Sequence, residues 1–350
     1  MKIFDCHCHV HLGPHGLNPL LQSIPSSISI DKNANNDTGD DNEMLFNGAA
    51  IMSTHPRDYV QVDSVVSKLR DESYNAIPCY GVHPWFLHDV DNIYGEEEDW
   101  GWLIELRKHL IDNPDAIVGE IGLDGARWRE VEEAEDDTDK RKDMDGVTIW
   151  NRKRILSCPM DKQQRAFEQQ LFIAAELERP VSIHVVKAWG ELFGSLETVR
   201  DMMRQKYLEE EEAASLQKIE SKQSTIDRKK KKKPKQLLLP PTIYFHAFSG
   251  KSGVINSILA ACEKGNVSRE NVFFGFAPAI PNFYTAKTPT IMKQIGINQL
   301  VIETDLEDST NVWNDLQRGV EGIAKAVDLD ANQVAYITYQ NSKRLYFGRL

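Results

Sequence analysis

Asp5-Cys6-His7-Cys8-His9 decides how this chain is read. Lys2-Ile3-Phe4 before it ends a short apolar strand, and side chains alternate along a strand, so His7 and His9 project to the same side. Two imidazoles about 7 Å apart at the mouth of a strand make half of a metal site. Alternation sends Cys6 and Cys8 to the opposite face, where they are expected as core thiols and not as ligands. A lone His-x-His reads equally well as two polar loop residues. What excludes that reading is the recurrence of ligand-type residues downstream.

Seven more short apolar runs follow: Ala49 to Met52, Ala76 to Gly81, Ala116 to Gly122, Val181 to His184, Thr242 to His246, Val272 to Gly275 and Leu300 to Glu303. Helical periodicity separates them. Pro56 to Glu72 places Val62, Val65, Val66 and Leu69 on one stripe, and Trp102 to Leu110 is a further helix. Asp161 to Arg179 aligns Phe167, Leu171, Ala174 and Leu177 until Pro180 stops it. Another helix after Ser249-Gly250 turns Val254, Ile255, Ile258 and Leu259 inward, and two amphipathic helices close the chain. Eight strands alternating with helices predict an α/β protein, a (β/α)8 TIM barrel of metal-dependent hydrolase type, whose chemistry sits at the C-terminal strand ends. His7, His9, Glu120, His184, His246 and Asp305 all fall there, on the first, fourth, fifth, sixth and eighth strands.

The 350 residues suit one such domain, spanning 1–350. Polar stretches at 17–43, 130–145 and 205–236 read as flexible insertions, the last of them exposed and partly disordered. No run of about 18 apolar residues is present, and no charged-then-apolar leader opens the chain. Five scattered cysteines are the odd set of reduced thiols expected in the cytoplasm or nucleus. Net charge is −12, but Arg228 to Lys235 carries seven positive charges, which leaves −19 on the remainder. That body repels nucleic acid at long range, so a substrate phosphate must be attracted locally, by metals and a few placed cations.

Four imidazoles and two carboxylates exceed one tetrahedral ion and suit two ions about 3.5–4 Å apart. Glu120 is the natural bridge between them. A water held by two such ions has its pKa brought near neutrality and serves as nucleophile, and Asp305 is placed both to ligate and to accept its proton. The donors tolerate Zn, Mn, Fe or Mg. A single-ion site of His7, His9, His246 and Asp305 is the alternative.

Beyond these donors, the chain carries Gly81-Val82-His83-Pro84-Trp85, Gly119-Glu120-Ile121-Gly122-Leu123-Asp124 and Gln163-Gln164-Arg165-Ala166-Phe167. Pro180 to His184, His246-Ala247-Phe248-Ser249-Gly250, Ile302-Glu303-Thr304-Asp305 and Asn341-Ser342-Lys343-Arg344-Leu345-Tyr346 follow in order. With the opening motif, this series resembles the TatD-type metal-dependent deoxyribonuclease family of amidohydrolase-like barrels, over nearly the whole chain. The resemblance implies a divalent-metal hydrolase that cleaves DNA phosphodiester bonds, as a 3′–5′ exonuclease acting on ends or single strands. It implies ligands His7, His9, Glu120, His184, His246 and Asp305, with Glu120 and Asp305 catalytic. His83, Trp85 and Lys187 are the substrate-side candidates. Glu303 is expected to point away from the site, and Asp124 either orients a ligand histidine or caps a loop.

Departures from the family pattern lie at the rim. Val10-His11 stands where Leu-Asp is common, with His11 expected as a loop residue; Val186 replaces a basic residue two positions after His184, with Lys187 one step off; and Leu306-Glu307 replaces Ser-Pro. Added carboxylates at Glu307 and Asp308 make that side of the mouth less welcoming to a phosphate. Lys229 to Lys233 with Pro234 and Lys235 resembles a nuclear-import signal, and equally reads as a solvated charge run or as a tether for nucleic acid or an acidic partner. The long insertions point to a eukaryotic, fungal-type elaboration. Two alternatives to a nuclease are a metal-dependent hydrolase of an amide or other ester, and a barrel that acts mainly by binding a protein partner.

Overall fold

Strands that lie in a parallel sheet are covered by helices outside and by packed side chains inside, which is why they read as unbroken apolar runs. The computed structural model describes residues 1–24, 44–94, 100–132, 152–156, 158–220 and 236–348. Its strands are β1 (Lys2–Cys8), β2 (Leu45–Met52), β3 (Asn75–Tyr80), β4 (Ile117–Asp124), β5 (Trp128–Glu132), β6 (Arg152–Leu156), β7 (Val181–Val186), β8 (Ile243–Phe245), β9 (Val272–Phe276) and β10 (Leu300–Ile302). Eight of them form one parallel sheet in the order β1-β2-β3-β4-β7-β8-β9-β10. The sheet curls into a (β/α)8 barrel. β5 and β6 stand apart as an antiparallel pair, absent from the sequence expectation.

The helices are α1 (Asn18–Ser23), α2 (Tyr59–Asp71), α3 (Leu87–Tyr94), α4 (Gly101–Asp112), α5 (Met160–Glu176), α6 (Trp189–Glu220), α7 (Ser252–Lys264), α8 (Thr288–Ile295), α9 (Val312–Val327) and α10 (Ala331–Tyr346). The stripe of Val62, Val65, Val66 and Leu69 on α2 is buried, as are Phe167, Leu171 and Ala174 on α5. Among the described residues no helix is long and apolar enough to cross a membrane. The core has two layers. The outer one lies between sheet and helices; the inner one fills the barrel with Phe4, Cys6, Met52, Ile77, Cys79, Ile117, Tyr244, Phe273 and Val301. Leu345 and Tyr346 at the end of α10 plug the lower opening, and the Tyr346 hydroxyl donates to the Cys6 carbonyl.

The barrel closes where β10 returns to β1. Asp305 N–H donates to His7 O at 2.8 Å and His9 N–H to Leu306 O at 2.8 Å. Between them Asp5 substitutes a side chain for a ladder bond: its carboxylate accepts from Thr304 N–H at 3.0 Å, from Thr304 Oγ1–H at 2.7 Å and from His7 N–H at 3.2 Å. Two glutamines of α5 fix other strand ends. Gln170 Oε1 accepts from Val82 N–H at 2.7 Å, and Gln163 Oε1 accepts from Asp124 N–H at 2.7 Å. Gly122, at φ +157°, lets β4 approach β7, since a Cβ there would lie 1.9 Å from His184 O.

Three sequence expectations change here. Cys6 and Cys8 are both buried but share no face: Cys6 joins the inner layer and Cys8 the outer one, because the register slips between Asp5 and Cys8. The 17–43 stretch begins with α1, which is anchored by buried Leu17, Leu20 and Ile24. The 205–236 stretch begins with the outer half of α6, which is helical to Glu220. Residues 25–43, 133–151 and 221–235, with the basic run, lie outside the described residues.

The seam generates a stability prediction. Asp5→Ala leaves the buried Thr304 and His7 N–H groups without their acceptor, at about 1–3 kcal/mol each. Urea unfolding is therefore expected to show a loss of at least about 2 kcal/mol; a wild-type midpoint would mean that the seam does not depend on Asp5.

Candidate metal centre

Strands β1, β4 and β7 and the turns after β1, β8 and β10 deliver six side chains to one end of the barrel, where all but the more open His184 and Asp305 are buried. Around Glu120 Oε2 stand His9 Nε2 at 3.1 Å and His7 Nε2 at 3.4 Å. His7 Nε2 and His9 Nε2 are 3.2 Å apart, and Asp305 Oδ1 is 3.6 Å from each. Around Glu120 Oε1 stand His246 Nε2 at 2.5 Å, His184 Nδ1 at 3.1 Å and His83 Nε2 at 3.3 Å. Donors bound at about 2.0–2.2 Å to a tetrahedral ion are spaced by roughly 3.3–3.6 Å. The separations around Glu120 Oε2 are of that size. Three groups (His7, His246 and Asp305; His7, His9 and Glu120; His83, Glu120 and His184) have their ligand atoms within 4.8 Å of one another.

The ring orientations favour metal binding. His9 Nδ1 lies 2.8 Å from Met52 O, which can only accept, so Nδ1 carries the hydrogen and Nε2 faces the cluster with its lone pair. His184 Nε2 lies 3.3 Å from Asp124 Oδ2, which assigns the hydrogen to Nε2 and presents Nδ1. His7 Nδ1 is fixed by Ser182 Oγ at 3.1 Å. Lone pairs of His9 Nε2 and Glu120 Oε2 thus meet at 3.1 Å, a repulsive contact until a cation or a proton lies between them. The electrostatics express the same demand. Burial presses the His9 and His184 pKa values down, but Glu120 with Asp305 in one case, and Asp124 with Glu120 in the other, raise both to about 9. Burial opposes ionisation of Glu120, yet His246, His83 and His7 hold it well below the usual carboxylate range. Burial raises Asp305, with His246 and His9 acting against it. His83 is lowered to about 4 by burial, which makes it a neutral imidazole at pH 7.

The substrate-side candidates are distributed differently. His83 is buried with its Nε2 on Glu120, inside the donor cluster. Trp85 is at the mouth, 39% exposed, its ring centroid 6.1 Å from that of His184. Lys187 is exposed just past β7, at φ +51° and apart from the donors. His11 is buried 3.8 Å from Asp58, too long for a hydrogen bond, and its ring is 6.2 Å from that of His9. Glu303 stays below the cluster, where it accepts from Ala247 N–H at 2.7 Å and from the Tyr244 hydroxyl. Sequence reasoning missed Ser182, the Met52 carbonyl and Arg127. A serine inside a strand and a backbone carbonyl leave no pattern to read, and Arg127 becomes visible only once its guanidinium is seen 4.0 Å above the Trp85 ring.

Comparison with known proteins gives a consistent result. Residues 4–347 match the family model described as TatD related DNase. The chain is 25% identical over 227 residues to Cut9-interacting protein scn1 of Schizosaccharomyces pombe, covering 56% of this chain and 58% of that protein. It is 24% identical over 221 residues to the uncharacterized deoxyribonuclease YMR262W of Saccharomyces cerevisiae, covering 55% and 59%. The chain thus spans under two thirds of the length of either relative. Among solved structures it resembles an uncharacterized amidohydrolase from Saccharomyces cerevisiae, with TM-score 0.60, 14% identity and 99% and 100% of the two chains covered. It also resembles YJJV, a TatD homolog from Escherichia coli, with TM-score 0.59, 16% identity and 99% and 98% covered. At these identities the two structures support the fold.

Asp124 yields a prediction. Removing the carboxylate behind a metal-binding histidine weakens metal affinity about 10–100-fold. Asp124→Asn is expected to do so in chelator competition with the fold intact; wild-type affinity would reduce Asp124 to a turn cap.

Proposed function

The chain belongs to the TatD related DNase family, and from that premise we propose that it is a divalent-metal-dependent deoxyribonuclease, a 3′–5′ exonuclease acting on DNA ends or single strands. The observation that carries this reading is Glu120, whose two carboxylate oxygens face two different sets of imidazoles at donor spacing. We assign one cation to His7, His9, Asp305 and Glu120 Oε2, and a second to His184, His246 and Glu120 Oε1. Zn²⁺, Mn²⁺ and Mg²⁺ are the ions to test. When bound, two such ions supply Lewis-acid activation of a phosphoryl oxygen and bring the pKa of a water near neutrality.

The chain's own residues do the rest. Glu120 would hold a cation with each carboxylate oxygen and supply negative charge to both. Asp305 Oδ1, more open than Glu120, is the group positioned to take a proton from the attacking water. His9 and His184, tied by Met52 O and Asp124, keep their donor atoms aimed inward. Trp85 and Lys187 face the substrate. His83 is read as a neutral hydrogen-bond donor beside Glu120, or as a further ligand of the second ion. We read the chain as one such domain, 1–350, with the 17–43, 130–145 and 205–236 stretches as insertions upon it, working in the cytoplasm or nucleus.

A second reading, that the barrel also engages a protein partner, draws support from two observations. One curated relative is named for an interaction with Cut9, and the outer half of α6 exposes Leu208 and Leu216 to solvent. Deleting residues 205–236 is then expected to abolish partner capture while hydrolysis persists.

The test of the main reading pairs metal analysis with hydrolysis of end-labelled single- and double-stranded DNA in Mg²⁺, Mn²⁺ or Zn²⁺. Chelation should abolish shortening, and Glu120→Ala and Asp305→Asn should each lower kcat by about 10²-fold or more with the fold retained. Variants as active as wild type would sink the site assignment. Hydrolysis of amides or simple esters with none of DNA would select a different substrate.

A further inference from the structure

Trp85 and Arg127 form a single preorganised unit at the mouth of the barrel, one after β3 and the other after β4. The Arg127 guanidinium lies 4.0 Å over the indole centroid. One carboxylate sets both partners. Asp124 Oδ2 accepts from Trp85 Nε1–H at 2.6 Å, while Asp124 Oδ1 accepts from the backbone N–H of Ala126 at 2.6 Å and of Arg127 at 3.0 Å. The tight turn this makes throws the Arg127 side chain back across the ring. The indole has then spent its only polar atom, and 39% of Trp85 stays exposed at the mouth. The same Asp124 Oδ2 touches His184 Nε2 at 3.3 Å, so the aromatic platform and the donor cluster share a support.

Among the described residues, the two sides of the mouth carry opposite charge. Lys187 adjoins the 125–127 turn, its carbonyl packed so closely on Gly125 that an added Cβ would lie 2.8 Å from it. On the far side the turn after β10 presents exposed Glu307, with Asp308 beside it. An anionic chain is therefore received over β3, β4 and β7 and repelled over β10.

We propose that Arg127 and Trp85 are a nucleotide clamp: the indole stacks one base of a single strand while the guanidinium and Lys187 hold its neighbouring phosphates, beside His184. The clamp rests on the phosphodiesterase reading of the same site. It supplies the cation that Val186 leaves out two positions after His184. A stacked base is gripped by its face and not by its hydrogen-bonding edge, so the clamp takes any base and requires it unpaired. Frayed ends and single strands qualify, and an intact duplex does not.

The experiment uses the full chain with Mn²⁺ and three readouts. These are anisotropy of a labelled single-stranded phosphorothioate oligonucleotide, hydrolysis of an ordinary single-stranded oligonucleotide, and hydrolysis of methyl p-nitrophenyl phosphate, which is too small to reach the clamp. Trp85→Ala and Arg127→Ala are each expected to weaken oligonucleotide binding about tenfold and to raise KM in step with kcat little changed. In both variants any loss of turnover on the small diester should be smaller than the loss on the oligonucleotide. Arg127→Lys should restore part of the phosphate binding. An oligonucleotide with an abasic site at the gripped position should bind wild type as weakly as the intact strand binds Trp85→Ala. Wild-type oligonucleotide affinity in Trp85→Ala and Arg127→Ala, or equal loss on both substrates, overturns the clamp. If wild type hydrolyses neither diester yet binds the oligonucleotide through these two residues, the clamp stands and the hydrolase reading falls.

Discussion

Closing the barrel and assembling the donor cluster are one physical event. The bonds that join β10 to β1 run from Asp305 N–H to His7 O and from His9 N–H to Leu306 O, so three donor-bearing residues are also seam residues. Asp5 between them is fully buried, and desolvation pushes its pKa up to about 7 despite three hydrogen bonds, a sign of how costly this carboxylate is to bury. That cost falls at the one place where the sheet must meet itself. The first and last strands bring imidazoles and a carboxylate together only if the seam forms, and a slipped seam would scatter them. The donor cluster is therefore a product of topology, with the first and last strands contributing half of it.

This coupling explains what was legible beforehand. Parallel strands buried on both faces read as apolar runs, and in a barrel every strand ends at the same rim, so His7, Glu120, His184, His246 and Asp305 could be matched to strand ends without coordinates. What failed to read was set by local deviation or by backbone. The slip in β1 after Asp5 separated Cys6 from Cys8, which strict alternation had paired. The outer half of α6 looked unstructured because it carries few apolar residues, yet Glu, Lys, Ala and Gln are strong helix formers, and Lys206 with Glu210 adds an i,i+4 pair. The β5–β6 pair was hidden by charged residues between Trp128 and Leu156, a composition that resembles a loop more than a strand. The Met52 carbonyl that fixes His9 has no side-chain signature at all.

The departures at the rim can also be placed. Leu306, standing where the resemblance predicts serine, turns inward onto the core, and its carbonyl still accepts the His9 N–H. The seam thus keeps the backbone bond while the side chain changes, and Glu307 is left facing solvent. A substitution that spares the closure can alter the charge of the mouth freely, because the two properties reside in different atoms of the same turn.

That separation bears on how an acidic protein would receive the anionic polymer proposed as its substrate. With −19 outside the basic run, the long-range field opposes approach, and screening at physiological salt confines that opposition to about 8 Å from the surface. Within that range, the cations of Arg127 and Lys187 and any ions held by the donor cluster add a local attraction. Attraction that acts only at contact favours a strand end that can enter the mouth over a duplex that must lie across the surface. On the proposed nuclease reading, this charge pattern would select for ends by repulsion elsewhere.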